Sequence, residues 1–246
     1  MNLVAALPPL LLGLLGGSHC VLMCGGVVAM TCSSLPSATR GRPLAQLPTM
    51  LAYNAGRIAS YATAGAFAGA LGATAARFGA VERVELLLRF GAGATMLAVG
   101  LYVAGFTRVL RAVEKAGEPL WRRVAPLARA LLPVRSPFHA LALGVLWGMM
   151  PCGLVYAALA LALTAGSPAA GALAMAAFGL GTLPVLLTLG SAAALVVRAA
   201  RAPVVRRVAG ATLLALGVVQ VVDAGRGWAD ARDGVERVCC FLSRHR

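Results

Sequence analysis

Six stretches of this chain stay apolar for about the length that a helix needs to cross a bilayer. Spanning about 30 Å of hydrocarbon takes roughly 20 apolar residues. Such runs cover residues 6–31, 50–74, 86–106, 138–164, 170–197 and 204–222. With 60% of the 246 residues hydrophobic and 12% charged, and a mean hydropathy of +0.84, polar surface is too scarce for a soluble domain. The expected fold is an all-α membrane protein with six transmembrane helices in contact with lipid. The first run has no preceding Lys or Arg and no small-x-small cleavage site, and His19 before Cys20 fits a lipoprotein signal poorly. It is therefore read as a retained helix, not as a signal peptide.

A formal charge of +14 would point to nucleic acid in a soluble protein, but no RNP-like, zinc-finger or helix-turn-helix spacing accompanies it. No nucleic-acid partner is expected. Loops of a polytopic protein collect Lys and Arg on the cytoplasmic side. Counted by side, the loops after the first, third and fifth runs hold 13 such residues and the opposite side holds 8. This bias places those loops in the cytoplasm and both termini outside. For an Ala-, Leu- and Arg-rich chain of bacterial character, the expected location is the inner (plasma) membrane, with several passes. The basic stretch 107–137 spaces Leu, Val and Trp121 among its arginines, which suits a helix lying on anionic lipid.

Two short patterns recur. Cys24-Gly25-Gly26-Val27-Val28-Ala29 and Cys152-Gly153-Leu154-Val155-Tyr156-Ala157 both fit C-G-x-V-x-A, 128 residues apart. Gly93–Gly100 and Gly210–Gly217 both fit G-A-T-x-L-A-x-G, 117 residues apart. A duplication with altered loops accounts for both. It divides the chain into a first three-helix repeat (1–106), a basic cytoplasmic loop (107–137), a second three-helix repeat (138–222) and a tail (223–246). Three is an odd number, so the second repeat must enter from the opposite face, and inverted repeats place a working site near the midplane where the halves meet. A plain anchor bundle would use the same Gly and Ala for close packing.

His19, Cys20, Met23 and Cys24 share one helix face, being paired at i, i+4. Thiol, thioether and imidazole are soft ligands suited to Cu(I), and Met30 and Met50 extend the series. The same thiols also suit redox chemistry, whereas a single Cys in an apolar helix is usually a small packing residue. In the fourth run, Pro151 precedes Cys152 and removes a backbone donor, so the helix should kink or break there. Gly25-Gly26 offers a weaker break in the first run, and Pro184 another in the fifth. If the first and fourth helices were straight, Cys24 and Cys152 would lie about 22 Å in from opposite faces, roughly 15 Å apart in depth. A disulfide needs Cα atoms within about 7 Å. Either both helices break or these two cysteines never pair.

Arg57 is the one charge well inside a predicted helix, either facing the protein interior or snorkelling to the inner interface. Asn54, one turn earlier, is placed to hydrogen-bond between helices. No Asp or Glu falls inside a predicted helix, which disfavours a carrier built on a buried carboxylate. Near the chain end, Cys239 and Cys240 with His245 offer a second soft-ligand group, although terminal residues are often disordered.

The His19-Cys20-x-x-Met23-Cys24-Gly25-Gly26 run, Pro151-Cys152-Gly153, and Tyr53-Asn54-Ala55-Gly56-Arg57 to Ser60-Tyr61 together resemble the UreH-like transmembrane domain family. That family often carries the label sulfite exporter TauE/SafE and is grouped with the transmembrane region of the DsbD/CcdA cytochrome c biogenesis proteins. The resemblance covers nearly the whole chain. It implies six core helices in two inverted halves, with one redox cysteine in the first helix and one in the fourth, here Cys24 and Cys152. It also implies electron transfer from thioredoxin-like partners to extracytoplasmic thiols. The prolines that flank the cysteine in those proteins are missing around Cys24, and Cys20 adds a thiol one turn away. Both departures favour an alternative: Cu(I) transport or delivery through His19, Cys20, Met23 and Cys24 with a metallochaperone partner. The family label adds anion export, with Arg57 as its only support. Matched thiols in both halves, against unmatched His19 and Met23, favour the relay.

Overall fold

The computed structural model describes residues 3–33, 35, 42–105, 122, 134, 136–150, 152–191 and 202–244. The side chains of His19 and Met23 and of residues 228–244 lie outside that description, as does Pro151. The described residues form eight helices and no strand. They are α1 (Leu3–Leu15), α2 (Gly17–Ser33), α3 (Pro43–Arg77), α4 (Val81–Ala104), α5 (Pro137–Gly148), α6 (Gly153–Thr164), α7 (Pro168–Ser191) and α8 (Pro203–Arg244).

Local chemistry sets several of these ends. Pro43 and Pro137 occupy first-turn positions, where the missing amide costs no helical hydrogen bond. Ser136 caps α5 by accepting from the His139 amide at 3.4 Å. Gly105 closes α4 at φ 95°, a left-handed conformation that a side chain would resist. The carboxylates of α4 lie near its start, where Glu85 pairs with Arg89 on the exposed surface at 2.6 Å.

The breaks fall partly where the sequence points. The fourth apolar run divides into α5 and α6, bent by 77°. The first run divides at Gly16, not at Gly25-Gly26. The Gly16 amide still donates to the Leu12 carbonyl at 2.9 Å, and the Cys20 amide to the Gly16 carbonyl at 3.2 Å. Gly16 and Gly17 are where α6 and α7 press in, because a Cβ there would strike Leu154 and Val185. Gly26 faces open space, so α2 passes through it undisturbed. Pro184 does not end α7 either. Its ring is exposed, so it stands on the outer face of α7.

Three segments are long and apolar enough to cross a bilayer alone: Val81–Ala104, Pro168–Leu189 and Arg207–Gly227, with the bent α5–α6 pair as a fourth. α3 has ample length, but its apolarity is diluted by Gln46, Asn54 and Arg57, all buried. α1 and α2 are individually short. α8 continues past the apolar stretch to Arg244 and so takes in much of the expected tail. Exposed Leu11, Phe67, Leu87, Phe90, Val208, Leu216 and Val219 present the apolar outer surface that lipid tails cover.

α3 and α7 form the centre, with α1 and α2 packed on α7, and α5 and α6 on α3. α4 packs chiefly on α8. The contacts are reciprocal. A Cβ on Gly144 would meet the Tyr53 carbonyl and the Arg57 amide, while one on Gly13 would meet the Phe178 carbonyl and the Thr182 amide. Gly56 abuts Leu141 and Val145, and Gly181 abuts Leu10 and Leu14; Gly148 abuts Ser60, and Gly17 abuts Val185. Adding 131 to the first residue set, that of α1 and Gly17, and 125 to that of α3 converts each contact into its counterpart. On the other flank, Gly93 meets Val221 and Gly210 meets Ala104, while Gly100 meets Leu214 and Gly217 meets Leu97. These pairs run antiparallel, and adding 117 interchanges them.

Filling a backbone contact should therefore unseat a helix. Gly56→Val or Gly144→Val is expected to destabilise the protein by at least about 2 kcal/mol, whereas Gly26→Ala should be neutral. Thermal unfolding in detergent checks the difference.

Candidate functional site

The buried polar groups of the bundle concentrate on one stripe of α3. Tyr53, Asn54, Arg57 and Tyr61 recur at three- and four-residue spacing and so share a face, turned inward by the Gly56 contact with α5. Their exposures are 0%, 2%, 2% and 5%. Arg57 thus faces the interior and does not snorkel. Asn54 Nδ2 donates back to the Met50 carbonyl at 2.8 Å, which leaves its Oδ1 to accept from Arg57 Nη1 at 3.2 Å. Arg57 Nη2 donates to the Tyr61 hydroxyl at 2.8 Å. The guanidinium carbon lies 5.2 Å from the Tyr61 ring centroid and 5.9 Å from that of Tyr53, within cation–π range. Two buried donors are still open among the described residues, Arg57 Nε and the Tyr53 hydroxyl.

The cysteines converge on this stripe. Cys20 is buried and Cys24 half-buried on α2, and both belong to or pack on a core with Met50, Tyr53 and Leu143. Cys152 is half-buried at the N-terminus of α6, immediately after the bend. Leu154 bridges its surroundings to those of Cys24, since it packs on both apolar clusters. Cys20, Cys24 and Cys152 are free thiols within electrostatic range of one another. Arg57 lies within electrostatic range of all three. The amides of Leu154 and Val155 lie near the Cys152 sulfur, although no side-chain cap hydrogen bond forms. Met96 of α4 closes this corner against Gly153.

Of the residues singled out in the sequence, the fold brings together Cys20, Cys24, Cys152, Asn54 and Arg57. The side chains of His19 and Met23 on α2 lie outside the described residues, as does Pro151, so the four-ligand set falls only partly within them. Among the described residues, no three His, Cys, Asp or Glu side chains stand close enough to hold a metal ion. A separate sulfur pair does form: buried Cys32 Sγ lies 3.8 Å from Met50 Sδ. Cys239 and Cys240 fall in the last turns of α8, beyond the described side chains.

Sequence reasoning passed over Tyr53 and Tyr61 as functional groups. Their signal was an Arg flanked by Tyr at i−4 and i+4 inside an apolar helix, a spacing that stacks both rings on the cation. Removing either hydrogen-bond partner of the guanidinium strands a buried donor. Asn54→Ala and Tyr61→Phe are each expected to lower unfolding free energy by about 1–3 kcal/mol, measured by denaturation in detergent micelles, with Thr63→Ala on the exposed face of α3 as an unaffected control.

Residues 9–219 match the family described as the cytochrome c biogenesis protein transmembrane region. Neither a curated protein nor a solved structure matches the chain. The match takes in the bend of the fourth run, the α3 stripe and both repeated glycine patterns. The protein is a multi-pass membrane protein and belongs to the cytochrome c biogenesis protein transmembrane region family.

Proposed function

We propose that this protein carries reducing equivalents across the plasma membrane by thiol–disulfide exchange, with Cys24 and Cys152 as the exchanging pair in a bundle of two inverted three-span repeats. The observation that supports the reading is that Cys24 and Cys152 lie within electrostatic range of each other, with Leu154 packed on the apolar clusters that hold both. Cys152 follows the bend between α5 and α6, Cys24 sits two turns into α2, and both lie within electrostatic range of Arg57. A bent helix is a route by which thiols starting from opposite faces can reach a common depth. Support for the inverted repeats comes from the reciprocal glycine contacts, which a twofold relation between the halves would generate. The Lys and Arg asymmetry supports placing both termini outside.

The chemistry balances as two successive exchanges. A thiolate of a reduced dithiol partner, such as a thioredoxin-like protein on the cytoplasmic side, attacks one sulfur of the Cys24–Cys152 disulfide. That S–S bond breaks, a mixed disulfide forms, and the displaced sulfur leaves with the electron pair as a thiolate. The second partner thiol then attacks the mixed disulfide, so the partner departs oxidised and the pair is left as two thiols. On the other face the reduced pair repeats these steps on an oxidised partner, passing on two electrons and two protons.

Mild oxidation of the full chain in membranes, followed by alkylation and non-reducing peptide mapping, should capture an intramolecular Cys24–Cys152 disulfide. Cys24→Ser and Cys152→Ser should each abolish it along with partner oxidation. Failure to capture the bond in the unsubstituted protein would remove the relay.

One observation favours a second reading, passage of Cu(I) as cargo. The buried Cys32–Met50 sulfur contact lies in the same cluster as Cys20, and closely spaced thiolate and thioether sulfurs suit a soft monovalent ion. Competition with a chromophoric Cu(I) chelator should then show bound metal that falls in Cys32→Ser and Met50→Leu. No metal retained by the full chain counts against it.

A further inference from the structure

Arg57 is the buried charge of the described bundle, and the exchange steps above leave it without a task. A guanidinium this deep is expensive to desolvate, and a carboxylate is the usual compensation. None is at hand. α1, α2, α3, α5, α6 and α7 contain no Asp or Glu, and the ion pair formed among the described residues joins Arg89 to Glu85 on the exposed part of α4. The neutral partners Asn54 and Tyr61 occupy Nη1 and Nη2. Nε and the neighbouring Tyr53 hydroxyl remain as two buried donors with no acceptor among the described residues. The titratable groups facing this point are Cys20 and Cys24 from α2, Tyr53 and Tyr61 from α3 itself, and Cys152 ahead of α6. α2 also carries His19, whose side chain lies outside the described residues, and α7 has no titratable side chain. Sulfur is therefore the group here that can readily supply negative charge.

We propose that Arg57 is the counter-cation for the thiolate released when the Cys24–Cys152 bond opens, with the Tyr53 hydroxyl as a second donor to it. This inference rests on the relay reading. When an incoming thiolate makes its bond to one cysteine, the electron pair of the broken S–S bond stays on the other sulfur. That sulfur becomes an anion in a medium that would otherwise expel charge, and Arg57 neutralises it until a proton arrives. Both cysteines lie within electrostatic range of Arg57, so it can serve whichever sulfur is displaced. Asn54 and Tyr61 act one step back by fixing the guanidinium through Nη1 and Nη2, which leaves Nε open.

The test uses the reduced full chain in lipid nanodiscs. Maleimide labelling of Cys24 and Cys152 is followed across pH and resolved by peptide mass spectrometry. In Arg57→Met, labelling of the two cysteines at neutral pH should fall about tenfold, and the midpoint of the labelling curve should move up by about one pH unit. Arg57→Lys should recover most of the rate, and Tyr53→Phe should show a smaller shift in the same direction as Arg57→Met. If Arg57→Met does not fold, Tyr61→Phe decides, because it releases the guanidinium while keeping the ring; it too should shift the curve upward. Curves that superimpose on the parent's overturn the proposal. Disulfide capture in the unsubstituted protein separates the two ideas: capture with unmoved curves removes only the role of Arg57. Moved curves without capture remove the relay and leave the guanidinium–thiolate pairing standing.

Discussion

Within a bilayer, helices gain nothing from hiding apolar side chains from one another, because the lipid is equally apolar. What holds them is contact close enough for dispersion between backbones. This protein is organised by that constraint. Gly13, Gly56, Gly144 and Gly181 let α1 and α5 lie against the central α7 and α3 with main chain on main chain, and Gly93, Gly100, Gly210 and Gly217 do the same for α4 and α8. Rotating α3 to relieve the Gly56 contact would turn its polar stripe away from the cysteines. The glycine contacts therefore fix which atoms face the centre, and the chemistry of the site is inherited from them.

A second consequence concerns where polarity is tolerated. α3 is the least apolar of the helices that fill the centre, and its buried polar groups satisfy one another along a single face: Asn54 to the Met50 carbonyl, Arg57 to Asn54 and Tyr61. Such a stripe would be intolerable toward lipid. It survives because α5, α6 and α7 surround it. The same enclosure excludes water, so charge appearing on a nearby sulfur has few places to find compensation.

Much of this was legible in the sequence, though unevenly. Apolar runs marked the helices that are long and apolar enough to cross a bilayer alone, α4, α7 and the apolar part of α8, and the glycine-rich patterns marked the contacts of α4 with α8, because both are written in residue type alone. Arg57 and Asn54 stood out as polar residues in an apolar helix, but position alone left Arg57 either facing inward or snorkelling, and the packing around α3 decides for the interior. The break before Cys152 was legible from Pro151, since a missing amide is local information. The break at Gly16 was not. Its cause is tertiary, the pressure of Leu154 and Val185 on a backbone that Gly16 and Gly17 leave bare, and Gly25-Gly26 looked identical on paper. Pro184 misled in the other direction, because nothing in the local sequence shows that its ring would face outward. Tyr53 and Tyr61 were overlooked because aromatics are ordinary core residues until a cation is known to lie between them.

The two halves match closely up to the interruptions and then diverge. Gly17 and Gly148 occupy corresponding contacts, yet Cys24 follows seven residues after the first and Cys152 four residues after the second. One sulfur consequently hangs from the middle of a helix, where every neighbouring amide is already bonded. The other stands at a helix start, beside amides that have no carbonyl to take them. Unlike seats make unlike nucleophiles and unlike leaving groups. In a relay of the kind proposed above, these seats would decide which sulfur is attacked and which one leaves, so near-symmetric halves need not present equivalent sulfurs to the two faces.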